Sequence, residues 1–329
     1  MNSSVIEVKN LKKFFQVHKK EPGLVGSIKS LVARKYEEVR AVDDISFNIE
    51  EGELVGFIGP NGARKTTTLK CLSGLLYPTS GFISVQDFIP WQRKPEFLRQ
   101  IALIMGQKNQ LWWDLPPPET FQLNKEIYEI PEEKYKETLN ELVALLEVED
   151  ILEIQVRKLS LGQRMKCELI AALLHSPKVL FLDEPTIGLD VVMQKKMRDF
   201  IKEYNRRYKA TIILTSHYMG DVKELCHRVM IIDKGKLVFD GQLSEIVQKY
   251  TDHKLISVIL AKEVDPKILN GVAKVKEFSY PKLVYSVKRD EVSEITAKVL
   301  EELPVADLNI EEPPIEDIIR ELFTGKNYA

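Results

Sequence analysis

A glycine-rich segment with a lysine and adjoining threonines has the residue types that bind phosphate. It lies between an apolar run and a helical pattern and reads Gly59-Pro60-Asn61-Gly62-Ala63-Arg64-Lys65-Thr66-Thr67. In such a turn, successive backbone N–H groups and the positive end of the helix surround phosphate oxygens. The Lys65 ammonium would reach the β and γ phosphates of a nucleotide, and the Thr66 hydroxyl would hold Mg²⁺. The segment therefore predicts a site for nucleotide phosphates.

Arg64 departs from the usual form of this loop, G-x-x-x-x-G-K-[ST], which has glycine immediately before the lysine. Glycine suits that position because the backbone passes close to phosphate, where a Cβ atom would be in the way. Two interpretations stay open. In one, Arg64 impairs tight binding or turnover of the nucleotide. In the other, its side chain swings outward and is tolerated, adding a positive charge near the phosphates.

A pair of carboxylates, Asp183 and Glu184, follows the apolar run 179–182. A buried strand would bring Asp183 to the carboxyl edge of a sheet, where ligands of α/β folds bind. There Asp183 would orient the Mg²⁺ shell, and Glu184 would polarise an attacking water as general base. The alternative is a strand that merely ends in a charged turn, and the phosphate loop earlier in the chain argues against it.

The elements that must position these residues follow from the apolar pattern. Residues 54–58 are continuously apolar, which is typical of a central parallel strand covered on both faces. Further strands are predicted at 5–9, 45–49, 179–182, 210–214 and 228–232, and a hairpin turn at 234–236. Helices are predicted at 65–76, 116–154 and 165–174. Strands alternating with helices predict an α/β domain with a mainly parallel core sheet.

The pattern of apolar residues changes after residue 250. Short strand-like runs at 255–260, 284–287 and 307–310 alternate with helical patterns at 265–269 and 291–303. We therefore predict two domains. Residues 1–250 carry the chemistry, and residues 251–329 form a small accessory α+β domain.

Composition excludes several classes of protein. The 47 Lys and Arg nearly balance the 49 Asp and Glu, so the chain lacks the net positive charge that would attract nucleic acid or an anionic membrane surface. The cysteines Cys71, Cys167 and Cys226 are far apart, which suits a reducing compartment better than a disulfide framework or a zinc site. No signal peptide pattern opens the chain, and no apolar run reaches the ~18 residues that span a bilayer. Any membrane role is expected to come through a partner chain.

An unusual segment, residues 19–40, separates the first two predicted strands. Its centre, residues 26–34, spaces apolar residues at helical intervals with basic residues opposite. A surface helix on a loop insertion is one interpretation, and contact with a membrane partner or lipid headgroups is the other.

The segment Leu159-Ser160-Leu161-Gly162-Gln163-Arg164 resembles the signature L-S-G-G-Q of the ABC ATPases, with Leu161 in place of the first glycine. In isolation, Ser160 would be read as an ordinary helix cap. Other segments in the family's order support the resemblance. Gln107 resembles the Q-loop glutamine, Gly188-Leu189-Asp190 the D-loop, His217 the switch histidine, and Phe15 the aromatic residue that stacks on adenine.

The resemblance covers about residues 5–245 and implies a P-loop NTPase domain with an antiparallel N-terminal sheet and a helical subdomain at about 108–175. It implies a head-to-tail dimer with a second ATP-binding subunit. In that dimer, Ser160 and Gly162 of one chain would complete the partner's ATP site, where Gln107, Glu184 and His217 would serve catalysis. Gln163 and Asp190 are also expected to contact ATP. Thr66, Gln107 and Asp183 would serve Mg²⁺.

The same resemblance implies transmembrane permease subunits as partners and a peripheral location on the cytoplasmic face of the membrane. Trp112 and Trp113 lie where such domains meet the permease, although two tryptophans can also fill a local core. The Leu161 signature, the insertion and the small second domain resemble bacterial multidrug-type exporter ATPases. A hydrolysis-impaired regulatory module is an alternative because of Arg64. A nucleic-acid-associated ABC ATPase is disfavoured, since no long coiled coil or basic stripe is present.

Overall fold

The computed structural model describes residues 4–18, 36–106 and 108–324. The chain divides into two compact units, Met1–Asp240 and Gly241–Ala329, and each is described by itself. Within the described ranges, no helix is both long and apolar enough to cross a membrane.

The strands of the first unit form two sheets. In chain order they are β1 Ser4–His18, β2 Tyr36–Glu50, β3 Leu54–Ile58, β4 Ser80–Val85, β5 Ile101–Met105, β6 Val179–Asp183, β7 Thr211–Thr215, β8 Arg228–Asp233 and β9 Lys236–Gln242. The larger sheet has the order β5-β6-β7-β3-β8-β9, and the smaller has the order β2-β1-β4.

The core of the larger sheet is parallel, as its continuous apolar runs predict. Strand β3 pairs in parallel with β7 and β8, and β6 pairs in parallel with β5 and β7. In this register Phe57 and Asp183 both lie opposite Thr215, so the ends of β3, β6 and β7 meet at one edge. The predicted hairpin turn is also found, with Lys234 and Gly235 both at positive φ between β8 and β9.

The smaller sheet is antiparallel and corrects the predicted extent of the insertion. Strands β1 and β2 stay paired as far as His18 opposite Tyr36, and Phe15 lies opposite Val39. Residues 36–40 are therefore strand and not insertion, because they continue the ladder with β1. The helical pattern predicted at 26–34 lies outside the described residues.

The helices of the first unit include the predicted ones, with different limits. They are α1 Lys65–Leu72, α2 Pro95–Leu98, α3 Pro117–Ile127, α4 Glu132–Leu146, α5 Leu161–Leu173, α6 Val191–Tyr208 and α7 Met219–Leu225. Helix α1 ends at Leu72 and not at 76, because Gly74 turns into a left-handed conformation with φ 73°. The helical stretch predicted over 116–154 is two helices, since Pro131 interrupts the chain and opens α4.

The main core joins both sheets of the first unit. Apolar side chains of β1 and β2, such as Ile6 and Ile45, pack with Phe57 of β3 and with Leu69 and Leu72 of α1. This packing fixes the start of α1 against the end of β3, which is where the predicted phosphate loop lies.

The second unit is the α+β fold that its mixed pattern predicts. Its elements are α8 Leu243–Tyr250, β10 His253–Leu260, α9 Pro266–Val272, β11 Val275–Ser279, β12 Lys282–Lys288, α10 Val292–Glu302, β13 Val305–Glu311 and α11 Ile315–Thr324. The antiparallel sheet order β11-β12-β10-β13, with the chain order βαββαβ from β10 to β13, is a ferredoxin-like arrangement. The sequence pattern missed β11, because this edge strand is largely exposed and lacks a clear apolar alternation.

Candidate functional site

The glycine-rich segment forms a turn between β3 and α1, as predicted. Lys65 is the first residue of α1, and Arg64 is its N-cap, with no side-chain hydrogen bond that caps the helix. The first N–H groups of a helix have no partner within the helix, and its positive dipole end lies there. The described residues Asn61 and Gly62 are exposed beside this end, whereas Ala63 is buried. The turn thus leaves an uncapped helix N-terminus open to an anion such as phosphate.

Arg64 has a backbone conformation that glycine adopts at lower cost. Its φ is 77° and its ψ is 25°, which is left-handed. For a residue with a Cβ atom this costs roughly 1–2 kcal/mol. The side chain is exposed and forms no hydrogen bond or ion pair with any other described residue. The loop keeps its helix-opening geometry with arginine, but under backbone strain.

Lys65 is buried and spans the loop from inside. Its Nζ donates to the carbonyl oxygen of Gly59 at 2.7 Å and lies 3.4 Å from that of Pro60. Burial lowers the pKa of Lys65, and the negative charges of Glu184 and Asp183 partly oppose this shift. The ammonium therefore lies in the field of the predicted catalytic carboxylates.

Asp183 is held on both of its oxygens by threonines. The Thr66 hydroxyl donates to Asp183 Oδ2 at 2.7 Å, and the Thr215 hydroxyl donates to Oδ1 at 2.6 Å. These bonds join the start of α1 to the ends of β6 and β7. Thr215 was not among the predicted site residues, although its place directly after a buried run and two residues before His217 could have indicated it.

Glu184 and His217 lie together at the same edge. His217 Nδ1 is 3.3 Å from Glu184 Oε2. The Glu184 N–H donates both to the carbonyl oxygen of Thr215 at 3.0 Å and to its hydroxyl at 3.1 Å, and φ of Glu184 is 55°. The backbone bonds turn the Glu184 side chain out of the strand direction and fix it beside the histidine.

Gln107 lies outside the described residues, so its predicted role as Q-loop glutamine stays a prediction. Its neighbour Gly106 lies against the end of β6, where its N–H donates to the carbonyl oxygen of Asp183 at 2.9 Å. A Cβ atom on Gly106 would lie 2.2 Å from the carbonyl oxygen of Glu184. Gly106, which follows β5, thus lies against the backbone of both Asp183 and Glu184.

A buried network behind the site was also missed by the sequence reasoning. Asp221, in α7, is fully buried and accepts hydrogen bonds from the hydroxyls of Thr186 at 2.6 Å and Ser216 at 2.8 Å. Arg198 of α6 pairs with its other oxygen at 3.0 Å. Asp221 therefore ties the loop after Glu184 to the loop that carries His217. No motif marks it, because Thr186 and Arg198 are distant from Asp221 in the sequence.

Ser160 caps helix α5, as its alternative reading predicts. Its hydroxyl oxygen accepts from the Gln163 N–H at 3.2 Å, and the Gln163 side chain accepts from the Ser160 N–H at 2.9 Å. Gln163 is thus engaged in the cap, while the Ser160 hydroxyl keeps its own proton to donate. Asp190 caps α6 in a similar way, accepting from the Met193 N–H at 2.9 Å.

The signature and D-loop segments pack on each other within this chain. A Cβ atom on Gly188 would lie 2.9 Å from Leu161 Cδ2, and one on Gly162 would lie 2.9 Å from Met193 Cε. The leucine that replaces a signature glycine therefore covers Gly188. The ATP-contacting roles of Ser160, Gly162, Gln163 and Asp190 depend on a second chain and stay predictions.

Phe15 lies on β1 and is partly buried. The Lys13 ammonium lies 4.9 Å from the centre of its ring. Its predicted stacking on adenine stays a prediction.

The oxygen donors Thr66 and Asp183 fit Mg²⁺, because this ion prefers hard oxygen ligands and takes most of its coordination shell from water and phosphate.

Comparisons with known proteins show which family the chain belongs to. A model of the ABC transporter family matches residues 42–187. The ABC transporter ATP-binding protein NatA of Bacillus subtilis (strain 168) is 32% identical over 230 residues, covering 70% of this chain and 93% of that protein. The chain belongs to the ABC transporter ATP-binding proteins. A second model, described as the C-terminal domain of EvrA-like ABC transporters, matches residues 252–311.

Other relatives of this ABC transporter ATP-binding protein carry names that state different directions or cargoes of transport. The bacitracin transport ATP-binding protein BcrA of Bacillus licheniformis is 33% identical and covers 68% of this chain and 73% of its own. The methionine import ATP-binding protein MetN 2 of Bacillus cereus is 33% identical over 73% of this chain and 75% of its own. A solved ATP-binding subunit of an ABC transporter is 25% identical, with a TM-score of 0.61 over 75% of this chain and 93% of that one.

Proposed function

We propose that this ABC transporter ATP-binding subunit hydrolyses ATP, works as a head-to-tail dimer, and powers export through a transmembrane permease. The main support for the proposal is that five candidate site residues lie together at one edge of the larger sheet: Lys65, Thr66, Asp183, Glu184 and His217. The contacts between Thr66 and Asp183 and between Glu184 and His217 are those a phosphoryl-transfer site needs.

In the proposed reaction, the phosphates of ATP lie on the N–H groups that open α1, and Lys65 exchanges its loop carbonyls for phosphate oxygens. Thr66 and Asp183 would hold Mg²⁺, which would supply positive charge to those oxygens. Glu184 takes a proton from the attacking water as the water oxygen bonds to the γ phosphorus. The bond between the γ phosphorus and the bridging oxygen breaks, giving ADP and phosphate. His217 holds the Glu184 carboxylate in place.

The second chain would complete each site with its signature. Because the N-terminus of α5 begins at Leu161 and the Ser160 hydroxyl still has a proton to donate, this end can face the γ phosphate of a nucleotide on another chain. ATP would then close the dimer, and hydrolysis would reopen it.

The Trp112–Leu115 segment supports docking to a permease. Trp112 and Trp113 are each 49% exposed, so neither fills the local core. Exposed aromatic rings are typical of a protein-binding surface. The strand before this segment, β5, also lines a groove of about 400 Å³, whose apolar wall is formed by Leu75, Leu98, Leu103, Met105 and Ile127.

We propose export as the direction of transport, because three features resemble those of exporter ATPases. They are the Leu161 signature, the insertion and the accessory unit. The relatives named for bacitracin transport and for methionine import match the chain about equally well. Direction is therefore tested by experiment, and the cargo is chosen by the permease.

A hydrolysis-impaired subunit is the second candidate, and the left-handed backbone of Arg64 favours it. The deciding experiment purifies the subunit with the permease that co-purifies from membranes and compares its ATPase rate with that of Arg64→Gly and Glu184→Gln. A wild-type rate well above that of Glu184→Gln supports the motor. A rate equal to that of Glu184→Gln, rescued by Arg64→Gly, supports the impaired subunit. A soluble nucleic-acid complex in place of a permease contradicts both.

A further inference from the structure

A second cavity lies away from the phosphate loop, between helices α4, α5 and α6 of the first unit. It has a volume of about 480 Å³, within the range of small-molecule sites. The end of α4 contributes Leu145, Leu146 and Glu147, α5 contributes Lys166, and α6 contributes the rest of the wall. None of these residues belongs to the predicted ATP site.

Most of the wall is apolar. Leu146, Met197 and Phe200 are buried, and Met193 lines the cavity near the start of α6. Methionine is unbranched and adapts its shape, so a wall with two of them can close around ligands of different outline. Such a lining suits the apolar part of a ligand.

One charged group in the wall lacks a counterion. Lys166 is only 8% exposed, and its Nζ lies 3.5 Å from the carbonyl oxygen of Glu147. No carboxylate in the described part of the chain comes within 4.0 Å of that Nζ. The Glu147 carboxylate pairs instead with Lys196 at 2.5 Å. A buried ammonium without a carboxylate partner is costly, and an anionic ligand would remove that cost.

We propose that this cavity binds a small amphipathic anion, an apolar body carrying one carboxylate that pairs with Lys166. The other acidic side chains of the wall are engaged elsewhere, since Asp199 pairs with Lys195 and Glu203 pairs with Arg206. Lys166 is therefore the cation of the wall that is free to recognise the carboxylate.

The cavity is connected to the signature through one residue. Met193 lines the cavity and also covers Gly162, whose Cβ position lies 2.9 Å from Met193 Cε. A ligand that displaces Met193 changes the packing at the start of α5. Its effect on ATP hydrolysis rests on the proposed function, whereas its binding does not.

The test is calorimetric titration of the full chain with decanoate, below its micelle concentration. Decanol, which lacks the charge, and acetate, which lacks the apolar body, are the matched probes. We expect one decanoate per chain and weaker binding of both other probes. Lys166→Met should weaken decanoate binding by at least about tenfold, because it removes a charge-assisted contact. Lys202→Met, which removes an exposed lysine of α6 outside the cavity, should leave it unchanged.

Met197→Trp provides a second variant, which fills the cavity but keeps Lys166. It should also abolish decanoate binding, and thermal unfolding confirms that each variant is folded. Absence of decanoate binding to the wild type, or equal affinity in Lys166→Met and Lys202→Met, overturns the proposal. Binding without any change in ATPase rate leaves the site standing and contradicts only its link to the signature.

Discussion

His217 Nδ1 lies 3.3 Å from Glu184 Oε2, so the candidate switch histidine and the candidate general base form one unit at the ends of β6 and β7. Neither residue has another charged side chain of the described chain within ion-pairing distance. In the proposed mechanism, the Glu184 carboxylate is the group that takes the proton from the attacking water.

Replacing the Glu184 carboxylate should stop ATP hydrolysis and leave ATP binding nearly unchanged. Glu184→Gln keeps the shape of the side chain but cannot take a proton, so the ATPase rate should fall by at least about 100-fold. Binding of a fluorescent ATP analogue should stay within about threefold of wild type, since Lys65 and the α1 N-terminus are unchanged. Glu153→Gln, at an exposed position, is the control. A Glu184→Gln rate near that of Glu153→Gln would remove Glu184 from the mechanism.

Arg64 allows backbone strain and side-chain effects to be separated. Arg64→Gly should raise the free energy of unfolding by about 1 kcal/mol, because glycine adopts φ 77° at lower cost. Arg64→Ala removes the guanidinium but keeps the Cβ atom, so it should give little of this gain. Urea unfolding measures both. Equal stabilities of the two variants would show that the strain at this position is negligible.

Thr215 should matter for catalysis although it is not itself predicted to contact ATP or Mg²⁺. Thr215→Val removes the hydroxyl that donates to Asp183 Oδ1, so that only the Thr66 hydroxyl still orients this carboxylate. We expect about a tenfold lower ATPase rate and a higher Mg²⁺ concentration for half-maximal rate. Thr215→Ser restores the hydroxyl and should recover most of both. If Thr215→Ser is as impaired as Thr215→Val, methyl packing and not the hydrogen bond is what the site needs.

Glu168 on α5 should make the stability depend on pH. Burial raises the pKa of Glu168 from 4.5 to about 7, and the positive charge of Arg164 partly opposes this. The folded state therefore holds a proton that the unfolded state releases, so stability falls as pH rises from about 4.5 to about 7 and is level above that. Glu168→Gln should flatten this slope in urea unfolding at pH 5 and pH 8. The same slope in Glu168→Gln and wild type would assign it to other groups.

Trp113 should act in coupling and not in hydrolysis. Its half-exposed ring lies 5.6 Å from the Arg164 guanidinium carbon, on the helix that the signature opens. Trp113→Ala should leave the ATPase rate of the isolated subunit within about twofold, but it should weaken co-purification with the permease. Ile154→Ala, at another exposed apolar position, is the control. Undiminished co-purification of Trp113→Ala would place the docking surface elsewhere.

Much of the site could be predicted because its motifs are local. The run 54–58 followed by Lys65, and the run 179–182 followed by Asp183, each couple an apolar strand to adjacent polar residues. The Thr215 contact and the Asp221 network could not be predicted, since each joins residues from separate elements through side chains alone. The strain at Arg64 was also hidden, because a sequence shows that glycine is replaced but not which φ the arginine adopts.

The central claim is that two chains close head to tail on ATP held by Lys65 and capped by Ser160 of the partner. Light scattering after gel filtration tests it directly with the Glu184→Gln chain, which should hold ATP without hydrolysing it. We expect a dimer with ATP and Mg²⁺ and a monomer without them. We also expect monomers under both conditions for Glu184→Gln combined with Ser160→Arg or with Lys65→Met. A Glu184→Gln chain that binds ATP yet stays monomeric, or a dimer unaffected by Ser160→Arg, would contradict it.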